Sequence, residues 1–221
     1  GGALNVEGSD CKVYNSSFTN NFAGDDGGAI NWIGSNGYID NITCINNRAI
    51  GLAGSHSVGG SVSLAGDDIT LTNSNFTDSY AEIAGGAIYI NGENDVVANS
   101  SFAECAVSLT NGYSTNDYSN GGGAIFISGN NADVDNCNFT DSEGRIGGTI
   151  YIKGTDATVD GAIINNSYAP VSAGAIYIEG IRASVKNSDI SNAEAKAASG
   201  FTKDNLGGAI YIKGNYANIS D

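Results

Sequence analysis

Apolar residues along this chain fall in pairs two positions apart, and the pairs return at a long period. One column holds Leu4, Ile30, Val62, Ile88, Ile125, Ile150, Ile176 and Ile210, and its partner holds Val6, Trp32, Leu64, Ile90, Ile127, Ile152, Ile178 and Ile212. A spacing of two marks one face of a strand, so each pair predicts a short strand. A second strand is predicted around Val13, Ile39, Leu71, Val97, Val134, Val159, Val185 and Ile219, with mostly small residues such as Ala132, Ala157 and Ala183 two places earlier. A third is predicted around Phe18, Cys44, Phe76, Phe102, Phe139, Ile164 and Ile190. Short strands that are apolar on a single face bury nothing alone, whereas stacked units bury every face against the next.

The columns are held in register by the tetrapeptide Gly-Gly-Ala-Ile and close variants of it, beginning at Gly1, Gly27, Gly59, Gly85, Gly122, Gly147, Ala173 and Gly207. The intervals are 26, 32, 26, 37, 25, 26 and 34 residues, so a unit of about 26 recurs with three longer members. Alignment places the extra residues at about 48–58, 107–120 and 195–206. All three insertions leave the corner before the first strand.

The other two corners have their own signatures. Glycine stands between the first and second strands in every unit, at Gly8, Gly34, Gly66, Gly92, Gly129, Gly154, Gly180 and Gly214, which predicts a repeated turn of positive φ. Between the second and third strands stand Asn15, Asn41, Asn73, Asn99, Asn136, Gly161 and Asn187, the two residue types that best tolerate left-handed backbone. Stacked asparagine amides can also hydrogen-bond from coil to coil. The expected fold is an all-β, right-handed parallel β-helix of about seven full coils of ~26 residues plus a partial eighth, one structural unit over residues 1–221. At the ladder spacing of β-structure the rod would be roughly 35 Å long.

Composition agrees: glycine at 32 of 221 residues is about twice its usual ~7%, and a single proline spares the ladders. The chain begins within a repeat and ends after two strands of the next, so it is expected to be a segment of a longer surface protein. A net charge of −15 disfavours nucleic acid and anionic membrane surfaces, and it also keeps such a stack soluble. No apolar run is long enough for a membrane-spanning helix, and a monomer is expected. Cys11, Cys44, Cys105 and Cys137 occupy different columns in different coils, which predicts buried free thiols rather than disulfides. They form no metal-ligand spacing, and neither a metal nor a cofactor is expected.

The run Gly-Gly-Ala-Ile-Tyr-Ile at Gly85–Ile90 and again at Gly207–Ile212, with Asn-Ser-x-Phe-Thr-Asp at Asn73–Asp78, resembles the β-helix repeats of adhesin-like proteins from methanogenic archaea. It also looks like the chlamydial polymorphic outer membrane proteins. The Asn-type residue two places after the third-strand apolar position, as in Asn20, Asn46, Asp78, Asp141, Asn166 and Asn192, favours the archaeal relatives. The resemblance implies display at the cell surface or secretion, and it implies scaffold more than ligand. Seven Asn-x-Ser/Thr acceptors, at Asn15, Asn41, Asn75, Asn99, Asn138, Asn165 and Asn218, fit that setting. Asn75 and Asn138 are expected to face outward, while Asn15, Asn41 and Asn99 are explained by their turn.

Catalytic chemistry is sparsely represented. The acidic doublets Asp25–Asp26 and Asp67–Asp68 read as solvated turn formers, and the lone His56 has no nucleophile elbow beside it. No residues are assigned as catalytic. Binding chemistry is richer. The position between the two buried residues of the first strand reads Asn5, Asn31, Ser63, Tyr89, Phe126, Tyr151, Tyr177 and Tyr211, an aromatic ladder over five consecutive coils. Such rings stack on sugars and anchor protein partners. They would equally stabilise the sheet if the chain's own insertions roofed them. Tyr113, Tyr118, Phe201 and Lys203 lie in the insertions beside the ladder and complete the candidate ligand surface. The expected function is a non-catalytic adhesin segment that binds a glycan or protein of another cell. A polysaccharide lyase or hydrolase and a passive stalk are the alternatives.

Overall fold

The computed structural model describes residues 1–51, 57–109, 121–197 and 207–221. Among these residues the protein is all-β, with no helix, and its strands form three parallel sheets. The first sheet has eight strands stacked in chain order from Leu4–Val6 to Ile210–Ile212, and the second has eight from Lys12–Tyr14 to Asn218–Ser220. The third runs from Ser17–Thr19 to Asp189–Ala195. Register follows the sequence columns: Leu4 pairs Ile30, Leu71 pairs Val97, and Phe76 pairs Phe102. Chain-order parallel pairing across all three sheets is a parallel β-helix, as the periodicity predicts.

Inward side chains of the three sheets meet in one continuous core containing Ile30, Ile39, Leu64, Val97, Phe102, Ile127, Phe139 and Ile164. Phe76, Phe102 and Phe139 stack face to face inside it, at centroid separations of 4.9 and 4.8 Å. Coil spacing and the offset-stacking distance of aromatic rings coincide, so one ring per coil packs without distorting the ladder. Bulk in one column is balanced by deficit in another. A side chain at Gly37 would come within 2.6 Å of the buried Trp32 indole.

Backbone polarity inside the coil is satisfied by small side chains. At the second corner Ser74 Oγ accepts from the Ile42 N–H, and Ser100 Oγ accepts from the Ser74 N–H. At the third, Asn47 Oδ1 accepts from the Asn21 N–H, and its amide continues to Ser61 and Ser79. Cys44, Cys105 and Cys137 are buried and Cys11 is half-buried; all are free, and burial pushes the first three thiols up to about 12.

Three expectations need correction. The glycines between the first and second strands do not have positive φ; the left-handed residue there comes two places later, as at Asp10, Asn36, Asp68 and Asn94. Glycine is required because successive corners touch, so that a Cβ on Gly154 would lie 1.8 Å from the Gly129 carbonyl oxygen. Positive φ falls instead on the anchor glycines, such as Gly27 at 62°, and Ala173 takes the same conformation at 54°. The asparagine column is left-handed as expected, Asn15 at 52° through Asn187 at 46°, and Asn41 donates to Asn15 at 2.7 Å.

Secondly, a short fourth strand follows the third in the early coils, at Phe22–Ala23, Arg48–Ala49, Tyr80–Ala81 and Ala106–Val107. In later coils the two parts run on as Asn138–Glu143, Ile163–Ala169 and Asp189–Ala195. The bend between them is the left-handed column Asn20, Asn46, Asp78, Glu104, Asp141, Asn166 and Asn192. Thirdly, the insertions are narrower than 48–58, 107–120 and 195–206. Arg48, Ala49, Val107 and Ala195 are strand residues paired in register with neighbouring coils, and Val58 is bridged to Ala84.

Candidate functional site

The left-handed anchor glycine turns the chain sharply before the first strand. The residue just before it therefore runs alongside the outward face of the first sheet. These residues form their own ladder of parallel bridges, Val58–Ala84–Gly121–Ile146–Ser172. Their side chains close over the aromatic column. Val58, Ala84, Ile146, Val171 and Ala173 form a second apolar cluster with Phe126, Tyr151 and Tyr177.

This roof overturns the expectation of an exposed ladder. Phe126 is 5% exposed, Tyr151 2% and Tyr177 5%, while Tyr89 and Tyr211 at the ends are half-buried. The five rings follow one another in order, with centroids 5.5, 4.6, 4.8 and 5.2 Å apart; the end pairs Tyr89–Phe126 and Tyr177–Tyr211 are stacked, while Phe126–Tyr151 is tilted and Tyr151–Tyr177 edge-on. Gly121 leaves room for the Tyr151 ring, which a Cβ there would meet at 2.2 Å. The Tyr151 hydroxyl donates to Glu179 at 2.6 Å. Burial alone would raise the Glu179 carboxyl, but hydrogen bonds from Lys213 and Tyr151 and the nearby Lys213 and Lys153 charges hold it below its ordinary value. The central rings are thus a second core. Tyr113, Tyr118, Phe201 and Lys203 lie outside the described residues, as does His56.

Where the column changes from aromatic to small, Ser63 is covered and Tyr89 is left half-buried at the end of the rings. Ser63 pairs directly with Tyr89, so the stack ends there for want of a ring. Beside this step lies a groove of about 290 Å³, near the lower end for small-molecule sites. Ser63, Tyr89 and Phe126 line its floor, Asp26, Val58, Ile83 and Ala84 the roof side, and Ala65, Asn91, Ser128 and Lys153 the opposite side. Burial raises the Tyr89 phenol, a hydrogen bond with Ser128 opposes this, and the Asp26 charge adds to it, so that carboxylate lies within electrostatic reach of the ring's polar end. An aromatic floor flanked by hydroxyl, amide, carboxylate and ammonium groups can pack a ring and hydrogen-bond its edge.

Of the expected site residues the structure brings Tyr89 and Phe126 to this groove and covers Tyr151 and Tyr177. Asp26, read from the sequence as a solvated turn former, and Ser63, read as one place in the outward column, line the groove as well, together with Asn91, Ser128 and Lys153, which no sequence motif marks. Two signals point to the first two: Ser63 interrupts the ladder, and Asp26 holds the place that Val58, Ala84 and Ile146 fill with apolar groups in later coils. The other acidic doublet behaves as a turn former, with Asp67 accepting from the Glu93 N–H and Asp68 from the Asn94 amide. Asn75 and Asn138 are exposed on the third sheet. Among the described residues no group of three or more His, Cys, Asp or Glu side chains could hold a metal ion, and no helix is long and apolar enough to cross a membrane. No protein-family model, curated protein or solved structure matches the chain.

Proposed function

We propose that this β-helix is a non-catalytic, surface-displayed adhesin segment that binds a glycan of another cell in the groove beside Tyr89. The observation that carries the reading is the end of the aromatic stack, where a ring face borders a cavity edged by polar groups. Sugars present an apolar face of C–H bonds and a rim of hydroxyls, and aromatic stacking with rim hydrogen bonds matches both. A glycan is favoured over a protein partner at this site because the aromatic column beside the groove is roofed by the chain itself, which leaves no broad apolar face there.

Hydrolysis of a glycan needs two carboxyl groups about 5 to 9.5 Å apart. Asp26 is the carboxylate among the described residues lining the groove, which supports binding rather than cleavage. The test is an immobilised-glycan and whole-cell binding screen of the protein and of Tyr89→Ser, run beside a reducing-sugar assay. Binding that is lost in Tyr89→Ser, with no reducing ends released, is expected. Release of reducing ends would establish the enzyme, and unaltered cell binding by Tyr89→Ser would leave the groove without the role given to it.

A further inference from the structure

The groove has a sidedness in charge that narrows its ligand, and the argument rests on the glycan reading above. Along the first-sheet column the ring centroids repeat at 4.6 to 5.5 Å from Tyr211 down to Tyr89. The next place is held by Ser63, too small to present a ring to Tyr89. Ser63 is itself covered, so a six-membered sugar sits in the groove beside this step with its C–H face on the half-buried Tyr89, where Asp26 on the roof side is close enough to act on the Tyr89 hydroxyl. Asp25 adjoins it. Lys153, the cation among the described residues that line the groove, stands in the field of Glu179, which also pairs with Lys213. Around this site the whole protein carries a net charge of −15. A uronic acid would meet that field and the Asp26 carboxylate with like charge; an ammonium on the ring would be drawn in by both.

We infer that the groove selects an amino sugar with a free ammonium group, stacked on Tyr89 and ion-paired with Asp26. Lys153 then lies toward the neighbouring unit of the chain, where a hydroxyl suffices as its partner. A charge-assisted hydrogen bond in a partly enclosed groove discriminates about ten-fold or more over its neutral counterpart.

The test is titration calorimetry with four hexasaccharide probes: β-1,4-linked glucosamine, N-acetylglucosamine, glucose and galacturonate. The glucosamine oligomer is expected to bind tightest, to weaken on going from 50 to 500 mM salt, and to lose roughly ten-fold in affinity in Asp26→Asn while the neutral oligomers are unchanged. Asp26 is partly exposed and the substitution is isosteric; an unaltered melting temperature in Asp26→Asn excludes a folding effect. Tighter binding of the neutral or uronic oligomers, or an unchanged glucosamine affinity in Asp26→Asn, overturns the amino-sugar assignment and leaves glycan binding in place. Silence of all four probes together with the cell-surface screen overturns both.

Discussion

Asp95 sits where the repeat otherwise places Ile69, Ala132, Ala157 and Ala183, facing the interior of the coil with no solvent exposure. One carboxylate oxygen accepts the Ile69 N–H at 2.8 Å, and the other is buried without a partner. Burial, opposed by that hydrogen bond and reinforced by Asp67 and Asp68, pushes the carboxyl from an ordinary 3.8 up to about 7. Between those values the folded protein holds a proton that the unfolded chain has released, so stability is lost as pH rises toward 7. From pH 5 to pH 8 the loss has a ceiling of about 2.5 kcal/mol, since each unit of displacement is worth about 1.4 kcal/mol. Asp95→Asn retains an acceptor for Ile69 and removes the titration. The measurement is the melting temperature of both proteins from pH 5 to pH 8, where the difference between them cancels every other ionisable group. The variant is expected to gain on the parent by roughly 5 to 10 °C across that range. A difference that stays flat would mean that water reaches the second oxygen, and the packing argument for this corner would fail.

The roof makes Tyr151 a core residue, so Tyr151→Ser is expected to cost about 3 kcal/mol or more in urea unfolding through cavity formation and loss of the Glu179 hydrogen bond, while leaving glycan affinity of the folded protein intact. Gly154→Ala forces a methyl group against the Gly129 carbonyl and is expected to cost more than about 3 kcal/mol or to abolish soluble expression; normal melting would refute the stacked-corner explanation. Titration of the native protein with a thiol reagent is expected to modify Cys11 alone, and the other three cysteines are expected to react only after unfolding.

Fold was legible in the sequence because its cause is periodic. Ile30, Ile88 and Ile150 recur at the same place in each coil, and parallel pairing turns that recurrence directly into register. The asparagine corner was legible for a similar reason, being a local conformational requirement of Asn15, Asn41 and their column. What misled was any feature whose reason lies in a neighbouring coil. Gly154 has ordinary backbone geometry, and only the Gly129 carbonyl above or below it excludes a side chain. Tyr151 and Tyr177 alternate outward from the core as period two requires, yet the segment before each anchor returns over them. Outward from one apolar layer is therefore not the same as exposed. Tyr89 is half-buried where the rings beyond it are covered, and its neighbour in the column is Ser63 in place of a ring, a difference of one residue in a repeat that reads as uniform.

Hydroxyl-radical footprinting of the protein with and without the glucosamine hexamer, read out residue by residue, tests the assignment of the groove most directly. Protection confined to Tyr89 and the residues around it, with Tyr14 and Tyr38 on the exposed second sheet unchanged, is the expected result. Protection of Tyr14 and Tyr38 with Tyr89 unaffected would place the binding surface on another face and contradict the account.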